Sequence, residues 1–481
     1  MSTDTTIGSD PCDIDAFTHR LDGELGAAFS PGESKWVSRA AVALDCMGGF
    51  AEYCGALTLT LPTADSVFAA VQARHDQSVH VDLLAAGRNG RPATATFPLS
   101  LWYENEEIVD AAVFARRVEG LESEWAKPLV GVLHVLLSEG RIPHLDGGLT
   151  LVVASPIPWE LEGVVSAAAT AATMSAVCKC LGVDIAPAEM VLLCQRCRNH
   201  VMGIPCGPSA SACALLGEPG SLLQLLCQPL ELIGRLAVPD GVILMGIDCG
   251  ARHPAAARKF HDARVAAFMG RRIIEQRLAG RNPPSGWGGY LARLSVTDYV
   301  DTFRDRLPTK MKGKDFIDRY GDTGDPLTFI DEAAVYKIRS RTEHHIYENT
   351  RVHRFAERIA RVRRTGSQDP LLEMGELMFA SHWSYGQRCG LGSIETDRLV
   401  NCLRKRGPRR DLFGARICGA GAGGTVAVLM SDTQAAHDAV GESVVEYTQA
   451  TGCTTRFLVC STDGAAARDV RQVVCDAVSS R

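Results

Sequence analysis

Aromatic residues are scarce in this chain, 6% of 481, although hydrophobic residues make up 46%. A core must therefore be filled mainly by aliphatic side chains. The length is enough for one large two-lobed domain or two ordinary ones. Long apolar runs are also missing: none approaches the roughly 18 to 20 residues that span a membrane as a helix. The opening MSTDTTIGSDPCDID has neither the basic nor the apolar segment of a secretory signal. A cytoplasmic protein without a membrane partner is expected. Excess positive charge is absent too, since 50 basic residues face 56 acidic ones, a net charge of −6 spread along the chain. Without a basic face, nucleic acid is not an expected partner.

Cysteine, by contrast, is abundant and odd in number, at 17. The cysteines sit in apolar stretches such as AVCKCLGV and RFLVCST. They read as reduced, buried thiols that pack as small hydrophobes. One group has ligand-like spacing: Cys178, Cys180, Cys194, Cys197 and His200. A CxxC followed by histidine can hold zinc. Here CQRCRNH continues an apolar, helix-like run and no second CxxC pairs with it. Core packing is the favoured reading and no metal is expected.

Along the chain, residues 1–33 read as a polar leader with weak helical character. Alternation of β type runs from Lys35 to Pro62, interrupted by Met47-Gly48-Gly49, and VHVDLLAAG reads as a further strand. The spacing in residues 124–139 predicts a buried helix. The strand LTLVVASPIP is followed by the small-residue helix VVSAAATAATMSAVCKCLG, a common setting for a phosphate-binding loop. A periodic helix is predicted over 265–280, mixed helices and loops over 281–345, and alternating strand and helix beyond. The pattern is α+β, two lobes with a cleft between them: 34–238 as the N-terminal lobe and 239–481 as the C-terminal lobe.

Three glycine-rich segments occur in order: SRAAVALDCMGGFAEYCGALTLTLP, LVVASPIPWELEGVVSAAATAATMSAV and GARICGAGAGGTVAVL. Together they resemble the three motifs of the GHMP small-molecule kinases. The intervening chain (NHVMGIPCG, MGIDCGARHP, HHIYENTRV, SHWSYGQRCGLGS) looks most like plant-type L-arabinokinase, with galactokinase more distant. The resemblance covers about residues 35–460. It implies a two-lobed kinase fold. Gly419, Gly421, Gly423 and Gly424 then form the third motif, although such glycines alone fit a tight strand turn equally well.

Phosphoryl transfer depends on positioning and charge stabilisation by amides, a metal ion, cations and a base. The resemblance implies these groups at four places, and this chain departs at each. The second arginine of an RAPGR-like motif is Ala43. The GxGxSSS-like loop reads Glu160-Leu161-Glu162-Gly163-Val164-Val165-Ser166, with valines for serines and two glutamates that would repel a triphosphate. The magnesium-binding glutamate of the following helix is Thr170, and the base of a PCGxMDQ-like stretch is Ala210. A missing base alone costs on the order of 10²- to 10⁴-fold in rate.

The sugar side is changed less. Glu52 and Tyr53 stand where the resemblance has a sugar-binding DYxG, and Cys206 and Gly207 belong to the PCG stretch. Arg252 and His253 keep a GIDSGxRH-like pattern and either meet ligand or brace the cleft. Asp45 is an acid/base candidate or a structural acceptor, while His200 reads as a buried, satisfied histidine. Tyr347, Glu348, Asn349, His382, Ser384 and Tyr385 read as lobe packing.

The expectation is a protein that has lost ordinary ATP-dependent transfer and carries out other chemistry on a sugar-like small molecule. Glu52, Asp45, Glu160 and Glu162 are its acid/base candidates. The alternatives are a pseudokinase sugar sensor, or a sugar-1-kinase with a rearranged site. ATP and magnesium are expected only in the last case. A homo-oligomer is left open.

Overall fold

The computed structural model describes residues 14–24, 28–85, 93–158, 162–419, 421, 423–460 and 468–474. The principal elements, in chain order, are α1 (Ile14–Glu24), β1 (Ser34–Met47), β2 (Leu57–Ala73), β3 (Ser78–Ala85), β4 (Ala93–Pro98), α2 (Ala111–Glu119), α3 (Lys127–Ser138), β5 (Leu149–Ser155), α4 (Glu162–Cys180), α5 (Pro187–Arg196) and α6 (Ser209–Leu216). Then follow β6 (Ser221–Leu226), β7 (Glu231–Ala237), β8 (Val242–Arg252), α7 (Ala256–Leu278), α8 (Ile338–Thr365), α9 (Asp369–Ser384), α10 (Ile394–Arg406), β9 (Leu412–Ile417), β10 (Gly423–Ser431), α11 (Gln434–Thr451), β11 (Arg456–Leu458) and β12 (Arg468–Val474).

The first sheet runs β12-β1-β2-β5-β3-β4, with β6 added along β2 and β7 paired to β6. Its pairs are antiparallel except β3 with β5, where Val81 lies opposite Leu151. One face carries α3 to α6, sealed by Val42, Val67, Leu133, Val153, Ala168, Ala172 and Val191. Alanines at 168, 169, 171 and 172 let α4 lie close to the sheet, and Ser38 Oγ donates to the Ala172 carbonyl at 2.6 Å. The opposite face is covered by α1. Its Phe17 and Leu21 are fully buried, with Phe17 stacked on Phe68 at 5.2 Å. The segment expected as a polar leader thus contributes an apolar stripe to the core.

The second sheet is antiparallel, in the order β9-β10-β8-β11. Helices α10 and α11 cover one face through Leu399, Leu403, Val440 and Tyr447. On the other side α8 and α9 share a core with both sheets: Leu44 and Leu59 meet Val352, Phe355, Met374 and Leu429. The chain passes from one sheet to the other between Ala237 and Val242, and β12 returns to the edge of the first, with Ser38 opposite Val470. Among the described residues, no helix is long and apolar enough to cross a membrane.

Candidate functional site

The turn between β1 and β2 is a short 3₁₀ segment, Gly49–Cys54, and Glu52 projects from it. Its carboxylate crosses to the start of α6. Oε1 accepts from Gly207 N at 2.9 Å, and Oε2 accepts from Ser209 N at 3.0 Å and from Ser209 Oγ. Amides at a helix start carry partial positive charge and no intrahelical acceptor, so a carboxylate is held well there. The fit requires glycine at 207, because a Cβ there would lie 2.4 Å from Glu52 Cδ. Burial raises the Glu52 carboxyl above its ordinary range. The Ser209 and Gly207 bonds and the nearby Arg198 guanidinium oppose the shift without cancelling it.

Arg198 belongs to a single π-helical turn, Cys197–Val201, that ends α5. It is buried, and its Nε has no hydrogen-bond partner among the described residues. Asn199 on the same turn accepts from Cys206 N at 3.0 Å and from Cys206 Sγ at 3.4 Å, fixing the 205–207 loop from one side. From the other side Arg264 Nη1 donates to the Pro205 carbonyl at 3.0 Å. The Arg264 fork pairs with Asp325 at 2.7 and 2.8 Å, and its guanidinium lies 4.5 Å from the centre of the Tyr53 ring. Tyr53 itself is buried, its phenol 3.3 Å from His345 Nε2, so it backs the loop from the core.

The other acid/base candidates lie elsewhere. Asp45 ties the first glycine motif to the third: Oδ1 accepts from Gly49 N at 3.1 Å, Oδ2 from Gly419 N at 3.0 Å, and fully buried Arg416 lies 3.3 Å away. These are the bonds of a structural acceptor. Glu160 lies outside the described residues, and Glu162 and Val164 fall in the first turn of α4. Val165 and Thr170 are buried on α4, and the Thr170 hydroxyl donates to the Pro128 carbonyl at 3.3 Å. Ala43 is half-buried at a register shift between β1 and β2, and Ala210 is half-buried in the first turn of α6.

In the third motif Gly419, Gly421 and Gly424 have φ of 58°, 72° and 89°, and Gly423 pairs with Arg252. Positive φ of this kind favours glycine. Arg252 forms a two-point pair with Asp248 at 3.0 and 2.9 Å, and His253 Nε2 lies 2.9 Å from Glu395 Oε2. Both are thus bonded within the second sheet and its helices. His200 is exposed, contrary to the expectation of a buried histidine: it falls on the outer side of the π turn that buries Arg198. Cys178, Cys194 and Cys197 are core residues. Glu348 is fully buried, accepting from Ser381 at 2.6 Å, and Asn349 bridges Leu57 N and the Ala292 carbonyl.

Of the sequence-derived residues, the fold therefore brings Glu52, Cys206, Gly207 and Ala210 together, with Tyr53 behind them. Sequence reasoning missed Arg198 and the Arg264–Asp325 pair. The only available signal was a charged residue directly before the Asn199-His200 pair.

The chain matches the model "GHMP kinases N terminal domain" over residues 132–218 and "GHMP kinases C terminal" over 370–443. It is 31% identical over 493 residues to the L-arabinokinase of Arabidopsis thaliana, covering 92% of this chain and 47% of that one. It thus spans about half the length of that relative. Identity to a galactokinase of Glaesserella parasuis is 26%, over 73% of this chain and 79% of the relative. Among solved structures, Lactococcus lactis galactokinase complexed with galactose has the same fold, with a TM-score of 0.70 at 18% identity over 94% of this chain and 99% of that one. The Methanococcus jannaschii mevalonate kinase gives a TM-score of 0.54 at 12% identity, over 88% and 97%.

Proposed function

We propose that this chain, which matches the GHMP kinase N-terminal and C-terminal models over residues 132–218 and 370–443, is a sugar-kinase-like protein that acts on a monosaccharide at the Glu52 loop. One observation carries this reading. A half-buried carboxylate, Glu52, and a buried guanidinium, Arg198, stand at the start of α6, the helix whose first turn holds Ala210. On the resemblance, they would stand in for the arginine and the base whose positions are Ala43 and Ala210 here. Glu52, with its pKa raised by burial, takes the proton of a sugar hydroxyl, and Arg198 steadies the negative charge developing on that oxygen.

Phosphorylation of a monosaccharide of the arabinose or galactose class, the rearranged-site alternative, has the similarity to L-arabinokinase and galactokinase behind it. The described residues do not fit a magnesium ion held as in that family. Thr170 is buried and bonded to a carbonyl, and no carboxylate replaces it on that face of α4. This observation favours a second reading, in which the same Glu52 loop runs ATP-free chemistry on a sugar-like metabolite or only senses a sugar.

The deciding experiment is calorimetric titration with Mg-ATP, with and without L-arabinose or galactose, paired with a phosphoryl-transfer assay. Binding and transfer, abolished in Glu52→Gln, establish the kinase reading. Sugar binding without ATP binding at millimolar concentration establishes the second. Sugar binding and turnover both unchanged in Glu52→Gln would sink the assignment of Glu52.

A further inference from the structure

Arg198 is 3% exposed, and its backbone is held in place: its carbonyl accepts from Ile204 N at 2.9 Å, and Asn199 beside it holds Cys206. Burial raises both the Glu52 carboxyl and the Cys206 thiol, and the Arg198 charge opposes the rise in each, so the guanidinium is felt at the 205–207 loop. Nε is sealed from solvent and has no hydrogen-bond partner among the described residues. The two terminal nitrogens make no hydrogen bond or ion pair with a described residue either, and they hold part of the little exposure that remains. A guanidinium stays charged at any working pH and carries five N–H donors. Buried without a counter-ion, it is among the costliest groups a fold can hold.

The charges around it are already matched. Glu52 accepts from Gly207 N, Ser209 N and Ser209 Oγ, at a helix start that favours a carboxylate. Arg264, the other buried cation at this loop, is bonded at two points to Asp325. Asp45 is taken by Arg416 and by the Gly49 and Gly419 amides. The anion that completes Arg198 is therefore one that a ligand brings. A planar fork suits a carboxylate or a phosphate. One cation balances one unit of charge, whereas a phosphate monoester carries up to about two. It would bring them beside Glu52, with the Gly207 and Ser209 amides at the start of α6 already occupied. The balance favours a carboxylate.

We propose that the sugar taken at the Glu52 loop is an acid of the uronate class, its carboxylate on the Arg198 fork and one of its hydroxyls on Glu52. This rests on the reading of that loop as a sugar site and narrows it. It holds equally for phosphoryl transfer and for ATP-free chemistry. The Arg198 charge is then met from the moment of binding, and not only while a hydroxyl loses its proton.

The test is calorimetric titration of the full chain with D-galacturonate, its neutral methyl ester and D-galactose, which share a ring and differ at C6. The acid is expected to bind at least tenfold tighter than the other two, a comparison that needs no variant. In Arg198→Met the ratio of acid to galactose affinity should fall to near one. The melting temperature of that variant should hold or rise, because an unmatched buried charge is removed. Equal binding of all three sugars, weakened together in Glu52→Gln, overturns the acid and leaves the sugar site standing. A preference that survives in Arg198→Met overturns the assignment of Arg198, and so does a fall in its melting temperature, which marks a structural charge. Displacement of galacturonate by acetate or inorganic phosphate at equal concentration reduces the site to a plain anion site and overturns the ligand class. Binding of none of the three at millimolar concentration overturns the sugar reading of the loop and this inference with it.

Discussion

A glutamate at position 52 carries its charge one methylene further from the backbone than the aspartate of the motif it resembles. That reach lets it bond Gly207 and Ser209 at the start of α6. Its substitution by glutamine is expected to lower sugar turnover by about 10²- to 10⁴-fold, measured at saturating sugar. The pH dependence has a definite sign. Burial raises the folded-state carboxyl above its unfolded value of about 4.3, so the ionised base forms only above that raised value, and turnover falls as pH drops through it. Stability runs the other way. The contribution of Glu52 is greatest below the unfolded value and declines as pH rises through the folded one. Thermal unfolding of wild type and Glu52→Gln between about pH 4 and 8 should therefore converge in acid and diverge toward neutrality. Gly207→Ala places a Cβ 2.4 Å from Glu52 Cδ and must push the carboxylate away. It is expected to cost about 1–3 kcal/mol and to abolish sugar binding, read by denaturation and calorimetry.

At the scale of elements, the loop that receives Glu52 is clamped from both sides, by Asn199 and by the Arg264–Asp325 pair. The Arg264 and Asp325 side chains are 5% and 1% exposed, so removing one leaves a buried charge unmatched. Asp325→Ala should lose about 3–5 kcal/mol in chemical denaturation, whereas the paired change Arg264→Met with Asp325→Leu should recover much of it. The paired variant should still bind sugar poorly, because Pro205 has lost its donor. This clamp marks where sequence reading stops. β1, β5, α4 and the three glycine segments were legible, since alternation, small-residue helices and glycine runs are local signals. The meeting of Glu52 with Ser209, of Arg264 with Asp325, and of Asp45 with Gly419 joins positions distant in the chain, and no period records it. The same holds for α1, whose Phe17 and Leu21 are too few to stand out in an acidic leader, and for His200, whose exposure follows from a π turn rather than an α turn.

For the whole molecule, the closing feature of the first sheet is its edge strand β12, which pairs with β1 from Ser34–Val474 to Ala40–Arg468. Deleting residues from 468 onward should lower the melting temperature. It should also give concentration-dependent association on size-exclusion chromatography, because the bared β1 edge offers unpaired amides and carbonyls. The pairing also sets a clock on biosynthesis. Gln472, the partner of Trp36, is added 436 residues after it (472 − 36). At roughly 5–20 residues per second the interval is on the order of 20–90 s. Throughout that time β1 sits in a nascent chain with one side unclaimed, the state in which chaperones and neighbouring nascent chains compete for it. Yield of this protein should therefore depend more on the rate of translation and on chaperone supply than on the stability of the finished fold.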